Sequence, residues 1–333
     1  MDNLIRLDAN ENIFANETNI IKKAKNAILN SNFTLYPDFY AETLVKSIAD
    51  FVNLEIENII AGLGSDQILD TLLRTYSGEN ARLGLMEPTF GMFKVFADWN
   101  KIPVSSIKTD EKFNISIEDF ADFLNRERAT ITIIANPNNP TGILYSRDDI
   151  KKLFKLFPGI IVIDEAYHEF SGMSVIDLVE EEGYRDRLVV TRTFSKAMGL
   201  AGMRVGYGAA SKGIMGKMSP YKMPYSLTVP STIAAITVLE DTSDLMETVK
   251  IVISERDRMI KELDSLSDFY ITPSQANFLY IKTKKALEIF EALKEKRILI
   301  RNYDNKEVIR ITVGEKVIND IVLETIKIIE GAE

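Results

Sequence analysis

The sequence predicts an α/β fold, with a mainly parallel sheet followed by a smaller α+β unit. Two observations carry this. Short apolar, β-branched runs alternate with longer helical patterns through the first two thirds of the chain. Strands separated by helices need crossover connections, and these make parallel sheets. From about Thr242 the texture changes to one long amphipathic stretch and then shorter strand and helix patterns.

The candidate strands of the first unit are Ala81–Met86, Thr130–Ala135, Ile160–Asp164, Leu188–Thr191 and Arg204–Tyr207. A helical pattern, Arg147–Phe157, separates the second from the third. In the second unit Leu245–Leu266 reads as a long amphipathic helix, NFLYIK as a strand, KALEIFEALKEK as a helix, VIRITV as a strand and Lys316–Glu330 as a last helix. The expected organisation is an N-terminal segment (1–35) packing on the small unit, a large unit (36–241) and a small unit (242–333). No repeat, low-complexity tract or long linker interrupts it.

The composition narrows the chemistry. The chain has 333 residues, 46% of them hydrophobic, and a formal net charge of -9. An acidic balance gives none of the basic footprint of a nucleic-acid binder. Residues 1–20 hold no apolar run with a basic leader, and no stretch approaches a membrane span, so a cytoplasmic protein is expected. With no cysteine, thiol nucleophiles and thiolate metal sites are out of reach. His168 is the one histidine, so no multi-histidine metal site is expected and acid–base work falls to Lys, Tyr, Asp or Glu. As the neighbour of Tyr167 in an extended piece, His168 is expected to point away from it and to be structural.

In parallel sheets a ligand sits beyond the carboxyl ends of the strands. The polar clusters fall there: NPNNPTG after Ile134, DEAYHEF after Ile163 and RTFSK after Val190. A lone lysine is ordinarily a solvated charge. Lys196, however, follows a strand and two hydroxyl residues, Thr193 and Ser195, and Arg204 comes shortly after. Two hydroxyls and a guanidinium suit one phosphate. A phosphorylated aldehyde held there would present its carbonyl to Lys196, which describes pyridoxal 5'-phosphate on a Schiff-base lysine.

That idea makes further demands. The pyridine nitrogen needs a carboxylate, and Asp164 ends an apolar strand, although an acid there is otherwise a cap or loop residue. Tyr167 and Asn139 are placed to reach the ring 3'-oxygen, although the NPNNPTG run otherwise reads as a turn. In GLGSDQILDTLLRTY, Gly62 and Gly64 permit a close approach, and Ser65 and Asp66 open a helix whose N-terminus suits an anion. Phe90 offers a face to stack on the ring, although an isolated Phe is more often core.

Together these motifs resemble fold-type I pyridoxal-phosphate-dependent aminotransferases of class I/II, and most closely the histidinol-phosphate aminotransferase group. The similarity runs through LDANEN, LYPD, GLGSDQIL, EPTFGMF, NPNNPTG, DEAYHEF, TFSKAMGLAGMRVGY, ANFLYI and VIRITVG in order. The resemblance implies a seven-stranded, mainly parallel sheet between helices. It gives Lys196 the position of the Schiff-base lysine and proton shuttle, and Asp164 that of the pyridinium partner. Tyr167 and Asn139 take the 3'-oxygen ligands, and Phe90 the stacking aromatic. Gly64, Ser65, Asp66, Thr193, Ser195 and Arg204 take the phosphate cradle. Tyr36, in LYPD, resembles a tyrosine that reaches the neighbouring subunit's cofactor, which implies a homodimer with shared sites. Arg310, Arg301 and Asn139 take positions on the substrate, a small amine or 2-oxo acid. The chain departs from the family pattern at Ile13, where proline is usual, and at Leu35, where arginine is usual.

The implied reaction is amino transfer from histidinol phosphate to 2-oxoglutarate. The alternatives within the fold are an aromatic or other amino-acid aminotransferase, or an amino-acid-phosphate decarboxylase. A non-catalytic cofactor-binding regulatory module would ordinarily carry a DNA-binding domain, for which there is neither length nor basic surface. A nicotinamide dehydrogenase would want a third glycine in GLGSDQ.

Overall fold

Strands buried on both faces read as unbroken apolar runs, and such runs form the middle of the larger of two sheets. The structure is a computed structural model and describes residues 4–264, 266, 269–303 and 307–331. The chain begins with β1 (Ile5–Leu7), α1 (Asn19–Leu29) and α2 (Glu42–Val52). An alternating series follows: β2 (Ile59–Leu63), α3 (Gly64–Thr75), β3 (Leu83–Glu87), α4 (Met92–Trp99), β4 (Val104–Lys108), α5 (Ile117–Arg126), β5 (Ile131–Ala135) and α6 (Arg147–Leu156). Next come β6 (Ile160–Asp164), α7 (His168–Ser171), β7 (Leu188–Thr193), β8 (Val205–Ala210), α8 (Lys212–Met218) and α9 (Val229–Glu240). The last part holds α10 (Ser243–Leu263), β9 (Tyr270–Ile271), β10 (Phe278–Lys282), α11 (Ala286–Glu295), β11 (Ile298–Asn302), β12 (Val308–Thr312) and α12 (Lys316–Glu330).

The larger sheet has seven strands in the order β2-β8-β7-β6-β5-β3-β4. All its pairs are parallel except those of β8, which runs antiparallel to β7 and β2. The pleat sorts the core. Ile161 and Ile163 of β6 face the layer containing α1, α2, α5, α6 and α9, while Val162 faces that of α3, α4 and α8. Each such side chain, fully buried, contributes about 1.5–3 kcal/mol. The amphipathic helices cover both faces, and α6 opens with a capping box between Ser146 and Asp149.

Several boundaries differ from expectation for local reasons. The Leu188 strand runs on to Thr193. The strand expected at Arg204 starts at Val205, because Arg204 is itself left-handed (φ 52°). The long helix starts at Ser243 and stops at Leu263, short of Leu266. Residue 265 of that expected helix, and residue 304 of the ILIRNYD stretch, lie outside the described residues. Strands β2 and β4 were not expected. They are the sheet's edges; β4 (VSSIK) is only partly buried and forms no apolar run, whereas β2 (IIAGL) is apolar and mostly buried but short, and it runs straight into the turn at Gly62 and Gly64.

The smaller sheet has the order β1-β11-β12-β10-β9, with β1 parallel to β11 and the other pairs antiparallel. The N-terminal segment therefore divides between the two units. Its strand joins the smaller sheet, whereas Ile20, Ile21 and Ala24 of α1 pack into the larger core. The residues between β1 and α1 cross from one unit to the other, directly over the site. No helix among the described residues is long and apolar enough to cross a membrane.

Candidate active site

Parallel pairing of β6 with β7 sets Asp164 opposite Thr191. Asp164 is buried, and the Thr191 hydroxyl donates to its Oδ1 at 2.9 Å. Burial pushes its carboxyl up to about 7, against the pull of that hydrogen bond. Beyond β7 the chain turns through Ser195 and Lys196. The Lys196 Nζ donates to the Ala9 carbonyl at 2.8 Å and lies 5.7 Å from the centre of the Tyr167 ring. Burial, followed by the nearby charge of Arg310, pulls its pKa down to about 8.

Tyr167 is buried, with its ring edge-on to Phe278 at 5.3 Å. Its hydroxyl accepts from Asn10 Nδ2 at 2.9 Å, and burial raises its pKa. The piece around it is not extended as expected. Tyr167 has φ -123° and ψ 16°, and His168 opens the short helix α7. His168 does not line the site cavity described below. Burial, then the charge of Arg192, lowers its pKa well below the ordinary histidine value.

The phosphate-suited corner forms where β2, β8 and α3 meet. Gly64 has φ +71°, and α3 starts there with no side-chain cap, leaving its first-turn N–H groups to an anion. Ser65 and Asp66 thus lie in the first turn rather than at the cap. Gly206 makes the close packing possible: a Cβ there would come 2.3 Å from Gly64 C and Ser65 N. Ser195 Oγ accepts from Thr193 Oγ1 at 3.0 Å and from an Arg204 N–H at 3.2 Å. Arg204 also pairs with the Asp66 carboxylate at 3.2 Å. What Asp66 can offer a phosphate is therefore its backbone N–H, while its side chain holds Arg204 in place.

The opposite end belongs to the smaller sheet. Register puts Arg310 of β12 opposite Tyr280 of β10 on one side and Arg301 of β11 on the other. One N–H of Arg310 donates to Asn139 Oδ1 at 2.6 Å and another to the Asp8 carbonyl at 2.5 Å. Its guanidinium lies 5.3 Å from the Phe278 ring centre. Its Nε is buried without a hydrogen-bond partner. Arg301 is exposed, its guanidinium 6.0 Å from the Tyr303 ring centre. Tyr280 packs edge-on to Tyr303 and to Phe113.

All the expected site residues except Gly64 and Tyr36 line one cavity of about 1250 Å³. Gly64 sits just behind it, against Arg204. Tyr36 does not line it; it is 84% exposed and rests on Tyr225, ring centres 5.0 Å apart. Phe90 borders the cavity half-buried, edge-on to Phe93. Sequence reasoning missed Asn10, Tyr280, Tyr303 and Phe113. Asn10 lay inside a quoted motif without a role, and the aromatics become neighbours only through strand pairing.

The residues present fit pyridoxal 5'-phosphate. The hydroxyls, guanidinium and uncapped helix start match a phosphate. A buried carboxyl with a raised pKa calls for a cation opposite it, as a protonated ring nitrogen would be.

Comparison with known proteins agrees with this geometry. Residues 2–326 match the family model "Aminotransferase class I and II". The chain is 36% identical over 332 residues to a histidinol-phosphate aminotransferase of Thermococcus gammatolerans, covering 99% of this chain and 93% of that one. It is 33% identical over 326 residues to one from Thermoanaerobacter pseudethanolicus, covering 97% and 92%. Among solved structures, the histidinol-phosphate aminotransferase of Sinorhizobium meliloti in complex with pyridoxal-5'-phosphate shares the fold, with a TM-score of 0.88, 22% identity and coverage of 99% and 91%. The chain belongs to the class I and II aminotransferase family, as a pyridoxal 5'-phosphate-dependent enzyme of its histidinol-phosphate aminotransferase group.

Proposed function

We propose that the enzyme moves the amino group of histidinol phosphate to 2-oxoglutarate. The observation that carries this substrate is the register of the smaller sheet. Arg301 and Arg310 stand directly opposite each other at one end of the cavity. Two guanidiniums match a phosphate dianion, and the same fork accepts the carboxylate of the oxo acid. The relatives that this chain matches over nearly its whole length are named histidinol-phosphate aminotransferases.

When bound, pyridoxal 5'-phosphate supplies an aldehyde for the amino group and a ring that takes up an electron pair. Ser65, Thr193, Ser195 and Arg204 hold its phosphate. Asp164 would hold the ring nitrogen and keep a proton there. Asn139 and Tyr167 would hold the ring 3'-oxygen, and Phe90 would cover the ring. Lys196 would hold the cofactor at its aldehyde in the absence of substrate. Freed by substrate, its Nζ takes the proton from the amine-bearing carbon. With a pKa of about 8, the amine is partly neutral near neutral pH and can do so. Arg310, helped by Arg301, orients the substrate's anion so that this carbon lies near Lys196.

We also infer a homodimer. Phe33, Leu35, Tyr36, Met223 and Tyr225 are exposed, and Tyr225 packs against both Tyr36 and Phe39. An exposed apolar cluster of this kind marks an interface. Tyr36 would then reach the partner's cofactor phosphate.

The test is the visible absorption of the cofactor-loaded enzyme during titration with histidinol phosphate, without oxo acid. The visible band is expected to fade and to return on adding 2-oxoglutarate. A band that ignores histidinol phosphate but responds to phenylalanine would make the enzyme an aromatic aminotransferase. Release of carbon dioxide in place of amino transfer would make it a decarboxylase.

A further inference from the structure

Asn10 lies in the crossing segment between β1 and α1, buried and with left-handed backbone (φ 56°). Its Nδ2 donates to the Tyr167 hydroxyl oxygen at 2.9 Å. Its Oδ1 accepts from Thr312 Oγ1 at 3.1 Å, and its backbone N–H donates to the same Thr312 oxygen at 3.0 Å. Its carbonyl accepts from Asn277 Nδ2 at 3.0 Å. Each polar atom of the residue thus has a partner.

These bonds fix which way the amide faces. Thr312 has one hydroxyl proton, and Asn10 Oδ1 takes it. Turning the amide over would set its NH2 against Thr312 and leave that proton without this acceptor. Its oxygen would then face Tyr167 and draw the phenol proton out of the cavity. In the observed orientation the phenol oxygen receives a hydrogen bond from outside, and its own O–H is left to point inward, toward the space shared with Lys196 and Asp164.

We propose that Asn10 is a positioning residue: by donating to the Tyr167 oxygen it commits the Tyr167 proton to the 3'-oxygen of the bound cofactor. This rests on the reading of the site given above. Thr312 lies two residues beyond Arg310 on β12, so both project from the same face of one strand. The strand that grips the substrate's anion also sets the direction of the phenol proton.

The experiment uses the cofactor-loaded enzyme and reads the pH midpoint of its visible absorption change, alongside kcat and KM. The variants are Asn10→Gly, which tolerates the left-handed backbone, Thr312→Val, Tyr167→Phe and the double variant Asn10→Gly/Tyr167→Phe. A donor to the ring oxygen stabilises the deprotonated chromophore, so its loss raises the midpoint. Tyr167→Phe and Asn10→Gly are each expected to raise it by about one pH unit, with kcat reduced about tenfold and KM little changed. Thr312→Val is expected to move it the same way by less, and this reading stands if Asn10→Gly does not fold. In the Tyr167→Phe background, Asn10→Gly is expected to move the midpoint no further. An equal shift in both backgrounds, or no shift from Asn10→Gly and Thr312→Val where Tyr167→Phe does shift it, overturns the role of Asn10 alone. No shift from Tyr167→Phe itself overturns the site reading and this proposal with it.

Discussion

The end of the cavity proposed for the cofactor is made mostly from strand ends of the larger, mainly parallel sheet, whereas the end proposed for the substrate is made from the smaller sheet and a crossing segment of the N-terminus. At the cofactor end, Asp164 and Thr191 are 27 residues apart and meet through one strand pairing. At the substrate end, Arg310 bonds to Asn139, 171 residues away, and to Asp8, 302 residues away. The first arrangement holds as long as the large sheet holds. The second exists only when both units and the N-terminus are docked together. From this difference we expect changes at the substrate end to leave cofactor affinity largely in place, although Ala9 and Asn10 of the crossing segment also touch Lys196 and Tyr167.

The largest effect expected is that of Lys196→Ala, which removes the nucleophile and the proton carrier. Its kcat should fall by at least about 10⁴-fold, with thermal unfolding little changed. Ordinary turnover in that variant would end the argument for the cofactor half. Asp164→Asn keeps the shape but loses the charge. It should lower kcat by about 10²–10³-fold, more than it weakens substrate binding, in steady-state kinetics.

Arg310→Lys keeps the charge and loses the fork. It should cut kcat/KM for the amine and the oxo acid alike by about 10–100-fold while cofactor affinity stays near wild type. A matching loss of cofactor affinity, read by equilibrium dialysis, would show that the two ends are not separable after all.

The pH dependence sharpens the same contrast. Lys196 is expected to lose its proton near 8 instead of near 10.5, so its neutral fraction rises with pH and levels off above about 8. Covalent capture of pyridoxal 5'-phosphate by the cofactor-free chain should therefore speed up about tenfold per unit well below pH 8 and plateau above it. A rate still climbing tenfold per unit at pH 10 would mean an ordinary solvated lysine.

Gly206→Ala is the smallest and most local change. The added methyl would press on the backbone of Gly64 and Ser65. It should cost about 1–3 kcal/mol of stability by denaturant unfolding and weaken the cofactor's phosphate grip, leaving the KM of the oxo acid nearly unchanged.

By itself the sequence determined the class of the fold, the central strands and the cofactor chemistry. Ile160–Asp164 is a strand with the bounds expected, because a strand buried on both faces is apolar along its length and the polar residue that breaks the run marks its carboxyl end. Thr193, Ser195, Lys196 and Arg204 were legible for a related reason: one turn and one hairpin bring them together, so closeness in sequence became closeness in space. The edge strands β2 and β4 were not legible: β4 is partly solvated and has no apolar run, and the short apolar run of β2 ends in glycines that read as part of the following close-approach turn. Tertiary structure alone decided the rest. It set Tyr280, Arg310 and Arg301 in one row by register, and no local pattern encodes register between strands. It also laid Asn10 between Thr312 and Tyr167, because β1 must pair in the smaller sheet while α1 buries its apolar face in the larger core. The segment joining the two has nowhere to run except across the site.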